Sequence, residues 1–283
     1  MFRPTAPFPS GRAARRPLAR FFCIALAALA GCAPVAEPPP LDPVRPPPPS
    51  AELRIAGAEA ATPLVRHLAE LFQSRQPGPP VVVEEPLGES GARAALADGR
   101  IAAALVVTPS GAGEGVVLAR SAVVLAVGPG VRTREITAAA LVETLRGERA
   151  VWSGGLPQRV LLRPVDDPIQ AALVAAVPGL AEPLAAAVAG RRWPVYGREG
   201  ALRSALRAPG ALAVADRGNL RLHGVPAWEV AVAGVGPVSV DVRLLASAPL
   251  PPRLQAFVAF AASADGGALV GDLGFEPVGG ERP

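Results

Sequence analysis

Leu53-Arg-Ile-Ala, Gly57-Ala-Glu-Ala-Ala and Thr62-Pro63-Leu64-Val65, then Val81-Val-Val, Pro86-Leu-Gly-Glu-Ser90-Gly91-Ala and an apolar run over 101–107, set the fold class. They read as strand, loop and helix written twice and closed by a third strand. Leu64, Val65, Leu68, Leu71 and Phe72 recur at helical spacing, so Thr62-Pro63 is expected to open an amphipathic helix. Ser90 is placed to cap a second helix that stops at Asp98-Gly99, following the usual punctuation of helix ends. Two parallel strands that both feed helix N-termini bring those termini to one sheet edge. Unsatisfied N–H groups and helix dipoles favour an anion or small solute at such an edge.

Further along, Thr137 precedes a helix stopped by Gly147, Asp167-Pro168 opens one that runs to Val177, and another begins near Leu180. Residues 198–206 are expected to be helical. Strands are expected at 116–127, 159–163, 193–196, 211–214, 230–233 and 240–246, and Pro251-Pro252 starts a last pair of helices. Strands and helices alternate through two regions, which makes the class α/β. No short fixed-period repeat is visible.

Composition narrows the function. Every basic residue except the two histidines is arginine, 28 in all, and the formal charge is +4. Five of those arginines, Arg3, Arg12, Arg15, Arg16 and Arg20, precede an apolar run over 21–29, which leaves 23 Arg against 24 Asp and Glu from Cys32 onward. A nearly neutral mature chain does not support a nucleic-acid partner. The basic start, the short apolar run and Leu29-Ala30-Gly31-Cys32 together look like a bacterial lipoprotein signal, with cleavage before Cys32 and acylation of its thiol. Cys23 falls in the removed segment 1–31, so no thiol pair remains for a disulfide or a Cys-based metal site. The segment 32–51 contains Pro38-Pro-Pro and Pro46-Pro-Pro-Pro and reads as an extended tether of roughly 3.1 Å per residue. The expected setting is the outer face of a bacterial membrane, periplasmic or extracytoplasmic, with the membrane as a partner through the lipid. No feature demands an oligomer, so a monomer is expected, and no cofactor or metal site is read.

Seven ordered stretches carry a family resemblance. Ile55-Ala-Gly-Ala-Glu-Ala-Ala-Thr-Pro-Leu, Leu87-Gly-Glu-Ser-Gly-Ala and Asp98-Gly-Arg-Ile-Ala-Ala-Ala-Leu-Val-Val-Thr-Pro resemble the opening motifs of PstS-like phosphate-binding proteins. Ile136-Thr-Ala-Ala-Ala-Leu with Gly147 and Trp152-Ser-Gly-Gly, Leu162-Arg163-Pro-Val-Asp-Asp, Ala208-Pro-Gly-Ala-Leu-Ala and Phe257-Val-Ala-Phe-Ala-Ala-Ser extend the resemblance over about 53–278. It implies a two-lobed periplasmic-binding-protein type II fold with crossing strands, lobe I at 52–127 plus 221–283 and lobe II at 128–220. It also implies phosphate or a similar oxyanion held between the lobes, delivery to an ABC permease, and no enzymatic activity.

The same resemblance exposes departures. Ala58 and Ala60 stand where the family has hydroxyl positions, Glu89 where it has Ser, Ala102 where it has Asp, Val107-Thr108 for Ser-Arg, and Pro168 for a hydroxyl residue. Each hydrogen bond lost at a buried charged ligand costs about 1.5–3 kcal/mol, against a micromolar affinity of only about 8 kcal/mol. The remaining candidate ligands are Thr62, Ser90, the N–H of Gly91, Arg163 and Asp167. Thr62 and Ser90 could instead cap helices, and Arg163 could instead pair with Asp166 or Asp167. A domain that no longer binds phosphate and serves as a sensor or envelope interaction protein is therefore the alternative. A serine hydrolase is the remote one, with Ser90 on a strand–helix turn, Asp166, Asp167 or Asp216 behind it, and His223 as base. His67 and His223 are too poorly accompanied to indicate a metal.

Overall fold

The computed structural model describes residues 52–278. The expected signal segment, Cys32 and the expected Pro-rich tether lie outside those residues. The chain runs β1 (Leu53–Gly57), α1 (Thr62–Arg75), β2 (Val81–Val83), α2 (Gly88–Ala97) and β3 (Ala103–Pro109), followed by the long β4 (Val116–Val127). Then come β5 (Glu135–Ile136), α3 (Ala138–Arg146), β6 (Arg159–Leu161), α4 (Pro168–Ala176), α5 (Ala181–Ala189), α6 (Glu199–Leu206) and β7 (Ala211–Asp216). It finishes with α7 (Arg217–Leu222), β8 (Trp228–Val232), β9 (Val238–Leu245), α8 (Pro252–Ala261), α9 (Ala264–Asp272) and β10 (Glu276–Pro277).

The opening stretch folds as its pattern predicts. β1 pairs in parallel with both β2 and β3, so two successive crossover helices put their N-termini at the same edge. Gly57 is required where β1 turns into the following loop, because a Cβ there would overlap the Leu105 carbonyl that accepts the Ala58 N–H at 2.9 Å. α1 buries Leu64, Val65, Leu68 and Phe72. The Phe72 ring meets Phe257 edge-on and Phe260 at a tilt, both with centroids 5.5 Å apart, so the first helix and the late pair share one core.

A single mixed sheet runs β2-β1-β3-β9-β4-β7-β6. β9 is antiparallel to β3 and β4, β4 is antiparallel to β7, and β7 is parallel to β6. Consequently β4 and β9 join the parallel group at one end of the sheet to the β7-β6 pair at the other. The α/β class expected from the sequence is observed. Thr137 caps α3 by accepting from Ala140 N, and Gly147 closes it in the left-handed region at φ 75°. Asp167 caps α4.

Several local expectations need correction. Thr62 does not cap α1; its hydroxyl donates back to the Ala58 carbonyl at 3.0 Å. α2 begins at Gly88, two residues before Ser90, and carries no side-chain cap. Residues 193–196 form no strand, only an isolated bridge from Val195 to Leu162, because two prolines' worth of backbone donors are missing around it at Pro164 and Pro194. The short elements α7, β5 and β10 lack a periodic signature long enough to register in sequence.

Candidate functional site

Four helix starts border one cleft of about 550 Å³. The loop before α1 contributes Ala58, Glu59 and Ala60. The approach to α2 contributes Glu85 to Glu89, α4 contributes Asp167 to Ile169, and α6 contributes Arg198 and Glu199, with Tyr196 and Gly197 just before it. Helix N-termini present unpaired N–H groups and the positive end of the dipole. A sheet edge with four of them has the backbone apparatus of an anion site.

The side chains reverse that bias. Arg163, at the end of β6, is buried, and its loop is pinned by Gln170, whose Oε1 accepts the Arg163 N–H at 3.2 Å and whose Nε2 donates to the Arg163 carbonyl at 3.1 Å. Its Nε donates to the Val214 carbonyl at 2.8 Å. One Nη1 N–H goes to Asp167 at 3.0 Å and the other to Glu199. Nη2 donates to the second Glu199 oxygen at 3.1 Å. Four of the five guanidinium N–H groups are therefore committed within the protein. Burial alone would lower the Arg163 pKa, but Glu199 and Asp167 outweigh it and hold the guanidinium charged.

Carboxylates also take the helix-terminal donors. Asp167 Oδ1 accepts from Ile169 N at 2.9 Å and Gln170 N at 3.1 Å. Glu59, from the loop after β1, accepts the Gly200 N–H of α6 at 3.2 Å. Glu89 accepts the Val107 N–H at 2.8 Å; burial pushes its pKa up, with the Val107 bond and Arg93 opposing and Asp167 adding to the rise. Behind Glu199 lies Asp216, fully buried and bonded by Ser121 at 3.0 Å and by Asn219 N at 2.8 Å. Burial and the neighbouring Glu199 raise its pKa despite those bonds. The lining thus holds Glu59, Glu85, Glu89, Asp167 and Glu199 against Arg163 and Arg198.

Of the five candidate ligands, the structure brings Arg163 and Asp167 together at the cleft. Thr62 is buried behind it, Ser90 is exposed in the first turn of α2, and neither these two nor Gly91 lines the cleft. Arg163 does pair with Asp167, while Asp166 is exposed. Sequence reasoning missed Glu59 and Glu199, which meet their partners across 141 and 36 residues. For the hydrolase arrangement, Ser90 sits inside a helix turn and makes no side-chain hydrogen bond among the described residues. Asp167 and Asp216 are committed to Arg163, Ser121 and Asn219. Among the described residues no group of His, Cys, Asp and Glu is arranged to hold a metal ion.

No sequence-family model matches the chain, and no curated protein matches it by sequence. Solved structures do match in shape. One is a Clostridium perfringens protein described as a phosphate ABC transporter substrate-binding protein with bound phosphate, at TM-score 0.66 and 16% identity over 80% of this chain and 99% of that one. The fold is that of the type II periplasmic binding proteins. The periplasmic molybdate-binding protein of Azotobacter vinelandii matches at TM-score 0.54, 14% identical over 79% of this chain and 98% of that one. The C-terminal domain of a LysR-family transcriptional regulator from Rhodococcus matches nearly as well, at 0.53 with 17% identity over 75% and 98%. One architecture therefore serves both transport receptors and regulators, and the chemistry of the cleft has to decide between uses.

Proposed function

We propose that this chain is a lipid-anchored extracytoplasmic protein of the solute-binding fold whose cleft excludes phosphate and similar free oxyanions, and that it serves as a sensor or envelope interaction protein. The observation that carries this reading is the commitment of Arg163 to Glu199 and Asp167. Desolvating a phosphate requires charge-assisted donors in return. Here the arginine offers one N–H, and the starts of α4 and α6 are occupied by the protein's own carboxylates, Asp167 and Glu59. An external anion entering among five carboxylates meets like-charge repulsion, least screened at the largely buried Glu199 and Asp167. Division into a lobe at 52–127 plus 221–283 and one at 128–220 is part of the proposal, with the Glu59–Gly200 bond running between them.

The fold and its four helix starts favour a second reading, an oxyanion-binding component of an ABC importer acting with a permease. Calorimetric titration of the purified full-length chain with phosphate and with sulfate separates the two. The expected result is no binding heat with either anion at about 1 mM, a concentration that corresponds to only about 4 kcal/mol of affinity. Binding near or below roughly 10 μM would establish the importer reading instead.

A further inference from the structure

The cleft does not merely lack donors; it has an occupant. We propose that Glu199 is a resident anion, an internal carboxylate seated on Arg163 in the position an external oxyanion would take, and that it is the residue that decides what the cleft refuses. This deepens the function proposed above and rests on it.

The geometry is that of a bound ligand. Glu199 uses both oxygens against both Nη atoms of Arg163, the fork arrangement by which guanidinium grips carboxylates and phosphates alike. It lies in the cleft lining yet is buried, and it is the first residue of α6, so its own helix dipole also stabilises the negative charge. Arg198 before it supplies no cap to α6. The carboxylate is thus not recruited as a helix cap; its contacts are with the arginine.

Displacement is costly because an anion held on the same folded chain competes at an effective concentration far above that of any free solute. Glu89 adds a second barrier. It is held on the Val107 N–H and, with Glu85, lines the same cleft, so an anion seated on Arg163 meets its like charge.

Two further groups face this cluster. His223 has its pKa lowered by burial and by Arg203, with Glu199 opposing, and Glu59 sits on Gly200 next to Glu199. Neither occupies Arg163, so the exclusion is assigned to Glu199 first and Glu89 second.

The test is anion titration of four full-length proteins: wild type, Glu199→Ala/Glu89→Ser, the same double variant carrying Arg163→Gln, and Glu199→Gln. The last retains the packing and removes one charge, so the comparison survives if truncation unfolds the chain. Folding is checked by circular dichroism. The expected result is silence from wild type, sulfate or phosphate binding by the double variant at least about tenfold tighter than the wild-type limit, a weaker gain in Glu199→Gln, and loss of the gain with Arg163→Gln. If wild type is silent and the folded variants are silent too, the resident-anion assignment falls while the proposed function stands. If wild type itself binds phosphate through Arg163, both fall.

Discussion

Two buried ion clusters sit on the same sheet with opposite charge ratios. At the turn beyond β3, a single carboxylate, Asp241, is shared by Arg120 at 2.9 Å, Arg243 at 2.9 Å, Ser110 at 2.7 Å and the Gly111 N–H at 3.3 Å. At the cleft a single arginine, Arg163, is shared by Asp167 and Glu199 with Asp216 close behind. Burial would raise the Asp241 pKa, but the hydrogen bonds from Ser110, Arg120, Gly111 and Arg243 outweigh it and hold it below the usual range. Asp216 and Glu89 lie on the other side of their usual range because burial and like charges prevail. Buried charge is tolerated in both places, but only in the donor-rich cluster do the hydrogen bonds outweigh burial and keep the carboxylate below its usual range. The acid-rich cluster is where the chain has replaced a ligand's charge with its own.

Removing Asp241 should have the largest effect on stability. Asp241→Ala leaves Arg243, whose Nε already lacks a partner, as a nearly buried cation held only by the Gly113 and Gly115 carbonyls. Stranding one partner of a buried pair costs about 3–5 kcal/mol, read as a lowered urea midpoint with an unchanged slope. Because Arg120 is half exposed and screened, the Arg243 side should carry most of that loss, so Arg120→Ala should cost much less. Equal losses in the two variants would show that the exposed Arg120, and not the stranded Arg243, carries the energy of the Asp241 cluster.

How much of this was legible follows from range. The opening βαβαβ unit could be read because strand, loop and helix signals lie within a few residues of one another, as in Leu64 to Phe72. The caps at Thr137 and Asp167 were equally local, each bonding within three residues. The site was only half legible. Arg163 and Asp167 are four residues apart and could be paired on paper. Glu199 reaches the same arginine from a helix 36 residues later, and nothing in its local sequence distinguishes it from a glutamate that favours a helix start. Ser90 misled for the opposite reason. A hydroxyl near a helix start is a good cap, but Gly88 at φ 70° lets the chain turn earlier, and the helix begins before Ser90 is reached.

The two clusters should also titrate in opposite senses. Glu89 has a raised folded pKa, so its contribution to stability is fully present below the ordinary glutamate value of about 4.3 and is lost as pH rises through the raised one. Asp241 has a lowered folded pKa, so its contribution is present above the ordinary aspartate value of about 3.9 and is lost as pH falls through the lowered one. Glu89→Gln keeps an acceptor for the Val107 N–H and removes the titration. Melting temperatures of wild type and variant, followed from about pH 4 to 7, should therefore diverge in favour of the variant as pH rises. Asp241→Asn should instead run below and parallel to wild type over that range, and the two should converge only as pH falls below about 3.9. Parallel profiles of wild type and Glu89→Gln would mean that Glu89 is solvated as an ordinary surface acid and that the cleft is less acid-strained than its geometry indicates.

The smallest effect belongs to Glu59, the carboxylate that links the loop after β1 to α6. Its bond to the Gly200 N–H is solvent-exposed, and an exposed cap contributes about 0.5–1 kcal/mol, so Glu59→Ala should lower global stability by no more than that. Its informative readout is local. With Glu59 gone, the first turn of α6 loses an acceptor beside Glu199, and the Gly200 amide should exchange with solvent faster while amides in β4 and β9 do not change. If exchange at Gly200 stays as slow as in wild type, the bond does not hold α6 to the β1 side. Glu199 would then be positioned by Arg163 alone, and the resident carboxylate would depend on one partner rather than on the whole acidic rim.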